Sequence, residues 1–362
     1  MKSFKHLYPQ IYAFENLWRA AKQAQKGKRY QANVLDFNLH LEQNLFELQH
    51  QLQSQTYQPG TYTTFYIYEP KKRMISAAPY RDRVVHHALC NVIAPIFERS
   101  FIFDSYANRK GKGTHKAILR YQAYTRNYRY VLRCDIARFF PSIDHQILKA
   151  LLFRKIVCEP TQRLISRIID NSNLQEQTGF YFPGDDLFTP GTRRKGLPIG
   201  NLTSQFWANV YMNPLDHFIK DDLGLPYLRY VDDFVVFGQD KAQLQELKNR
   251  IRLFLYAYRL HLHPSKSRVH QTWEGLLFLG HRVFSRYRLL HKENLRRFRK
   301  RLKHRISDLQ KGKITPAFFQ NSIQSWLAHA AFSNTYRLRQ KILTTLASQG
   351  LYGSNESLPA RG

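Results

Sequence analysis

Acidic residues are scarce in this chain of 362 residues: 26 Asp and Glu stand against 56 Lys and Arg, a net charge of +30. A field that one-sided exceeds what solubility needs and attracts polyanions. On charge alone a nucleic-acid, ribosome-like or membrane-surface protein remains open. Cysteine is also rare. Cys90, Cys134 and Cys158 are odd in number and form no CxxC pair, which argues against a disulfide framework and a zinc site and fits a reducing cytosol. No apolar run approaches the length that crosses a membrane. The opening MKSFKHLYPQIYAF lacks the apolar core and cleavage site of a signal peptide. The expectation is a soluble, cytoplasmic protein with no membrane partner. Low complexity is confined to the tail GSNESLPARG, read as disordered.

What is present is an apolar fraction of 43%, with 14% aromatic residues, enough for one large core or several coupled subdomains. Residues 11–26 predict an amphipathic helix carrying Phe14, Leu17, Trp18 and Ala21, and a second helix carries Phe37, Leu41, Leu45, Leu48 and Leu52. Residues 63–76 predict two β runs around a basic turn at Lys71, Lys72 and Arg73. Helices follow over 80–97, 142–156, 203–219 and 242–260, with a strand over 130–140 and a hairpin over 228–237. The Gly/Pro-rich stretch 175–192 is expected to form a further hairpin. Strands and helices mix without a βαβ repeat, which favours an α+β sheet with helices on one face. From Lys292 to Arg305 the sequence is intensely basic, yet Leu295, Phe298, Leu302, Ile306 and Leu309 recur every three or four residues. This predicts one helix with an apolar stripe and a cationic face, whose Arg296, Arg297, Arg299 and Arg301 are set to lie along a phosphate backbone.

Three adjacent acid pairs can be compared. Asp185-Asp186 lies between turn formers and Asp221-Asp222 ends a helix before Gly224, so both read as solvated turns. Asp232-Asp233 differs, because apolar strand residues flank it in LRYVDDFVVF. Two charges between buried strands cost several kcal/mol unless neutralised, and a divalent cation does that. Asp135, in YVLRCDIARFF, shares a strand face with Val131 and Arg133, while Leu132, Cys134 and Ile136 take the other. Hard oxygen ligands with no His or Cys cluster point to Mg²⁺, two ions of which serve phosphoryl transfer. The alternating His261 and His263 read as strand or loop positions.

These segments resemble the ordered motifs of reverse transcriptases. D-x-x-x-F-F runs from Asp135 to Phe140, Y-V-D-D occupies 230–233 and F-L-G occupies 278–280, with GLPIGNLTSQFWANVY at 196–211 between them. Upstream, 71–89 and 104–117 resemble the fingers motifs. The resemblance implies a right-hand polymerase fold with fingers, a palm built on an antiparallel sheet, and a helical thumb. The divisions it suggests are an N-terminal helical extension over 1–60, fingers over 61–134 and a palm over 135–285 with an insertion near 171–200. A basic helical thumb follows over 286–350, then the tail over 351–362. It further implies RNA-directed DNA synthesis with two Mg²⁺ ions, Mn²⁺ being a substitute. Asp135, Asp232, Asp233 and the Ile136 carbonyl would hold the ions, and Phe140 would act as a sugar gate that excludes the ribose 2′-hydroxyl. Lys71, Arg73, Arg109 and Lys110 would meet triphosphate or template. Gly200 would let the backbone approach the nucleotide, and Lys266 would protonate pyrophosphate.

Ile199-Gly200 followed by Ser204-Gln205 resembles the variant of this motif found in diversity-generating retroelements, where most relatives carry Gln-Gly and Ser-Pro. That resemblance implies error-prone copying of an element-encoded RNA, with errors opposite adenine, for mutagenic retrohoming. The implied partners are template RNA, the RNA–DNA hybrid, dNTPs and a small, basic, helical accessory protein, the accessory variability determinant. Two other readings stand beside it: a reverse transcriptase of intron-derived or phage-defence lineage, and a non-catalytic RNA-binding scaffold.

Overall fold

The computed structural model describes residues 3–68, 72–173 and 179–351. The chain divides into two compact units: residues 1–112, 133–235 and 245–268, and residues 113–132, 236–244 and 269–362.

In the first unit, helices α1 (Tyr8–Tyr12), α2 (Phe14–Ala24), α3 (Ala32–Leu39) and α4 (Leu41–Gln53) form the N-terminal part. Each predicted helix is thus two. Ala13 leaves helical geometry at ψ 134° and His40 at ψ 42°, and each turns the chain so that both pieces reach the core. Leu17, Ala20 and Ala21 face inward, whereas Trp18 is 49% exposed. Strands β1 (Thr63–Ile67) and β2 (Arg73–Ala77) pair antiparallel, with Thr63 opposite Ala77. Helix α5 (Tyr80–Glu98) has Val84, Val85, Ala88, Leu89 and Ile93 fully buried, and α2 packs against it. Its first turn is anchored by buried Asp82, which accepts hydrogen bonds from Tyr57 Oη at 2.8 Å and the Gly60 N–H at 2.7 Å.

Helix α6 (Thr114–Asn127) belongs to the second unit and leads into β3 (Tyr130–Asp135). Then come the single turn α7 (Phe139–Ser142) and helices α8 (His145–Phe153) and α9 (Glu159–Asp170). Asp144 caps α8 by accepting the N–H groups of Gln146 and Ile147. No hairpin forms among the described residues of 175–192, of which 175–178 lie outside the description. Asp185 accepts the Phe182 N–H and pairs with Arg193, and Asp186 accepts the Phe188 and Thr189 N–H groups at the entry to the short turn α10 (Thr189–Thr192). These side-chain bonds to nearby backbone compete with a strand ladder.

Helix α11 (Leu202–His217) buries Trp207, Tyr211 and Met212 and ends in a π turn. Strands β4 (Tyr227–Tyr230) and β5 (Asp233–Gly238) follow, then α12 (Lys241–Ala257) with Leu244, Leu247, Ile251 and Leu255 inward. With β6 (Arg268–Gln271) they complete a four-stranded sheet in the order β4-β5-β3-β6. Strands β7 (Leu276–Phe278), β8 (His281–Val283) and β9 (Arg288–Leu290) form a separate antiparallel sheet in the second unit. There Tyr121 packs on Phe237 and stacks on Phe278.

Helices α13 (Lys292–Gln310), α14 (Pro316–Ala331) and α15 (Tyr336–Ser348) close the second unit. Phe298, Leu302, Ile306 and Leu309 of the predicted stripe pack with Phe319, Ile323, Leu327 and Leu346, and Phe298 stacks on Trp326 at 3.7 Å. The three cysteines are buried and unbonded, and burial pushes the Cys90 thiol up to about 12. Among the described residues no helix is long and apolar enough to cross a membrane. Residues 352–362 of the tail lie outside the description.

Candidate active site

The first unit brings the three singled-out carboxylates together through the turn that joins β4 to β5. On β3, Val131, Leu132 and Cys134 are buried, as is Ile136 just beyond it, whereas Arg133 and Asp135 are half-buried. Beyond β4 the chain turns at Val231, whose φ is +60°. A β-branched residue there is strained, and such strain persists only where neighbours hold it. The holder is Arg229, which is fully buried. Its guanidinium binds Asp216 through Nε at 2.7 Å and Nη2 at 2.6 Å, reaches Asn209 Oδ1 and Ser105 Oγ at 3.1 Å, and donates from Nη1 to the Val231 carbonyl at 3.0 Å. Asp232 and Asp233 follow at once, and Phe234 through Phe237 are fully buried behind them. Nothing in the sequence pattern singled out Arg229 or Asp216, because a lone Arg in a strand and an Asp in a helix are common.

The electrostatics of the three acids are those of a site crowded with negative charge. Burial, reinforced by Asp135 and Asp233, pushes Asp232 up to about 6, against the opposing pull of Arg73. Burial also raises Asp233, although Arg133 pairs with it at 3.0 Å and pulls the other way. Asp135 is met by Lys266 Nζ at 2.5 Å. Its backbone is fixed by the segment containing His261 and His263: Asp135 O accepts the His263 N–H at 2.7 Å, Ala137 donates to His261 O at 2.8 Å, and Ile136 bridges Leu262. Among the described residues no three His, Cys, Asp or Glu side chains close around a point as a metal cage. The donor set still suits a hard divalent cation, since each carboxylate already attracts a cationic side chain. Mg²⁺ is commonly bound by one or two carboxylates and completed by substrate phosphates, so a closed protein cage is not required.

Several of the expected nucleotide-binding residues lie in the same unit as the carboxylates. Phe139 is buried while Phe140 is half-buried, its ring 5.4 Å from that of Phe139. The Phe140 carbonyl accepts the Leu197 N–H at 2.9 Å, and the Ile199 carbonyl accepts the Ser76 N–H of β2 at 2.9 Å. Asn201, also missed in the sequence, ties the same junction by donating to Ser76 O and accepting from Ala78 N–H. Gly200 sits at φ +117°, where an added Cβ would lie 3.0 Å from Ile75 Cγ2, so both conformation and space call for glycine. Ile199 and Gln205 are half-buried, and Arg73 is exposed at the start of β2.

One expectation needs correction. Arg109 is not free for phosphate: Nε pairs with Glu98 at 2.6 Å, Nη1 donates to the carbonyls of Ile102 and Ser105, and the side chain is only 7% exposed. It holds its own loop closed. Lys110 beside it is exposed, and Lys71 lies outside the described residues. In the second unit, Arg296, Arg299 and Arg301 are exposed on α13, while Arg297 is half-buried and donates to Asn294 Oδ1 at 2.8 Å.

Residues 68–283 match the family model described as reverse transcriptase (RNA-dependent DNA polymerase), well over half of the chain. That defines the class as a template-directed nucleic-acid polymerase of right-hand architecture. The chain belongs to the reverse transcriptase family. It is 25% identical over 285 residues to protein YkfC of Escherichia coli K12, covering 66% of this chain and 72% of that one. It is 24% identical over 220 residues to the group II intron-encoded protein LtrA of Lactococcus lactis, covering 59% of this chain but 34% of that protein. The chain is thus homologous to a group II intron-encoded protein. The apo telomerase of Candida tropicalis aligns with a TM-score of 0.45 at 12% identity, over 63% of this chain and 48% of that one, too distant to add to the assignment.

Proposed function

We propose that this reverse transcriptase copies an element-encoded RNA into error-prone cDNA, as in a diversity-generating retroelement. The observation that carries the reading is Ile199, an apolar side chain beside Gly200 where the motif of most relatives has Gln. A residue that cannot hydrogen-bond withholds one interaction that would favour a correctly placed nucleotide, and about 1.4 kcal/mol of lost discrimination is a tenfold rise in error. Asp135, Asp232, Asp233 and the Ile136 carbonyl would hold Mg²⁺, or Mn²⁺ in its place. Two such ions supply charge neutralisation at the transferred phosphoryl group. Arg73 places positive charge beside Asp232, where an incoming triphosphate would lie, and Phe140 offers a ring to the sugar. Lys266, paired with Asp135, would serve as general acid toward pyrophosphate.

For the accessory protein, charge favours one surface. Residues 30–70 contain no Lys or Arg while carrying Asp36, Glu42, Glu47 and Glu69. Leu35, Leu39 and Phe46 are exposed on α3 and α4. An acidic, apolar face on a chain of +30 suits a cationic protein better than a nucleic acid.

Sequencing cDNA made from a defined RNA template tests the reading. Frequent misincorporation opposite adenine, reduced in Ile199→Gln and absent with all product in Asp232→Ala, is expected. The similarity to LtrA favours a second reading, an enzyme of intron lineage. Uniformly low error at all four template bases would select it.

A further inference from the structure

In the second unit, the β7–β9 sheet, the start of α13 and the start of α15 line a pocket of about 1180 Å³. Among the described residues no acidic one lines it, whereas Arg282, Arg288, Lys292, Arg337 and Arg339 do. Two of these guanidinium groups are already committed. Arg282 donates to the carbonyls of Gly275 and Glu274, and Arg288 donates to Phe332 O and Gln122 Oε1. Arg339 is different. It is only 3% exposed, and its Nε and Nη1 have no hydrogen-bond partner among the described residues. A buried guanidinium with unmet donors is costly, and native structures pair such groups.

The backbone around Arg339 points the same way. It is the fourth residue of α15, and side chains of a helix lean back toward its N-terminus. The first N–H groups of a helix lack intrahelical acceptors and carry partial positive charge. The N-cap residue Thr335 does not cap them, because its Oγ1 donates to the Ala330 carbonyl at 2.6 Å. An uncapped helix start and an unpartnered buried arginine therefore converge on one acid-free pocket.

We propose that this pocket binds a phosphate group, held by Arg339 and the first-turn amides of α15. The planar fork of arginine matches two phosphate oxygens, and helix amides supply the remaining donors. The phosphate has two sources, a backbone phosphate of a bound strand or a free phosphate compound. Phosphate binding here does not depend on the retroelement reading.

The test uses the full chain in phosphate and in chloride at matched ionic strength, with thermal unfolding as readout. The wild type and Lys341→Met, which removes an exposed charge from the same helix, should gain the same rise in unfolding temperature from phosphate. Arg339→Met should gain clearly less. Affinity for an RNA–DNA duplex, measured against salt, then separates the sources. A slope lower by about one neutralised phosphate in Arg339→Met assigns the site to a strand phosphate. An unchanged slope with the phosphate response still lost assigns it to a free phosphate compound. If Arg339→Met does not fold, Arg339→Lys should still respond less than the wild type. Equal responses in the wild type, Lys341→Met and whichever Arg339 variant folds would overturn the proposal.

Discussion

The buried ion pair under the Y-V-D-D turn separates stability from activity in a way that can be measured. Asp216→Asn removes the charge that compensates Arg229, a guanidinium with no exposure, while keeping an acceptor for the Tyr227 hydroxyl that Asp216 now takes at 2.7 Å. Leaving one member of a buried pair unpaired costs about 3–5 kcal/mol, a large share of the roughly 5–15 kcal/mol that holds a domain folded. Adding Arg229→Met removes the stranded charge and should recover most of that loss, because apolar replacement of a buried pair is often nearly neutral. The double variant still lacks the donor to the Val231 carbonyl. The positive φ at Val231, worth about 1–3 kcal/mol of strain, is then no longer held, and Asp232 and Asp233 move with it. A displacement of about 1 Å at a reacting centre can cost on the order of 100-fold in rate. Denaturant unfolding should therefore show a destabilised single variant and a largely restored double variant, with primer extension down by about that factor in the double. Wild-type extension by the restored double variant would refute the role given to Arg229.

Phe140→Ala should admit ribonucleotides into the product, read by comparing incorporation of the two sugars; unchanged selectivity would make Phe140 a packing residue. Reversing charge at Arg296, Arg299 and Arg301 should weaken RNA–DNA binding and lower its salt slope by about 0.9 for each phosphate that is no longer neutralised. An unchanged slope would leave α13 without a nucleic-acid role. His281 is fully buried, and burial with His329, His115 and Arg288 lowers it from 6.5 to about 4. The unfolded state therefore binds the extra proton first, so stability is complete above about pH 6.5 and falls toward pH 4, by about 3 kcal/mol at most. Urea melts at pH 7.5 and 4.5 should show this loss, and His281→Asn should lessen it; identical pH dependence in both would exclude His281 as the cause.

The amino-acid sequence by itself determined the elements with strong local signals. The stripe from Leu295 to Leu309 needed only helical periodicity, whereas the strand expected over 130–140 forms only over Tyr130–Asp135 before the chain turns into α7. The acid pair at Asp232-Asp233 stood apart from its two controls because apolar strands flank it. Gly200 could be anticipated because the motif demands backbone freedom there. Local pattern could not reveal which residues meet across long separations. Arg229 reaches Ser105 and Asp216, Asn201 ties Ser76, and Lys266 meets Asp135, all through packing rather than spacing. The same cause undid some local expectations. Helices broke at Ala13 and His40 so that both halves could bury their apolar faces, and Arg109 turned inward to Glu98. A side chain's charge is written in the sequence, but whether that charge is satisfied inside the protein or offered to a ligand is decided by which partners the tertiary structure brings within reach.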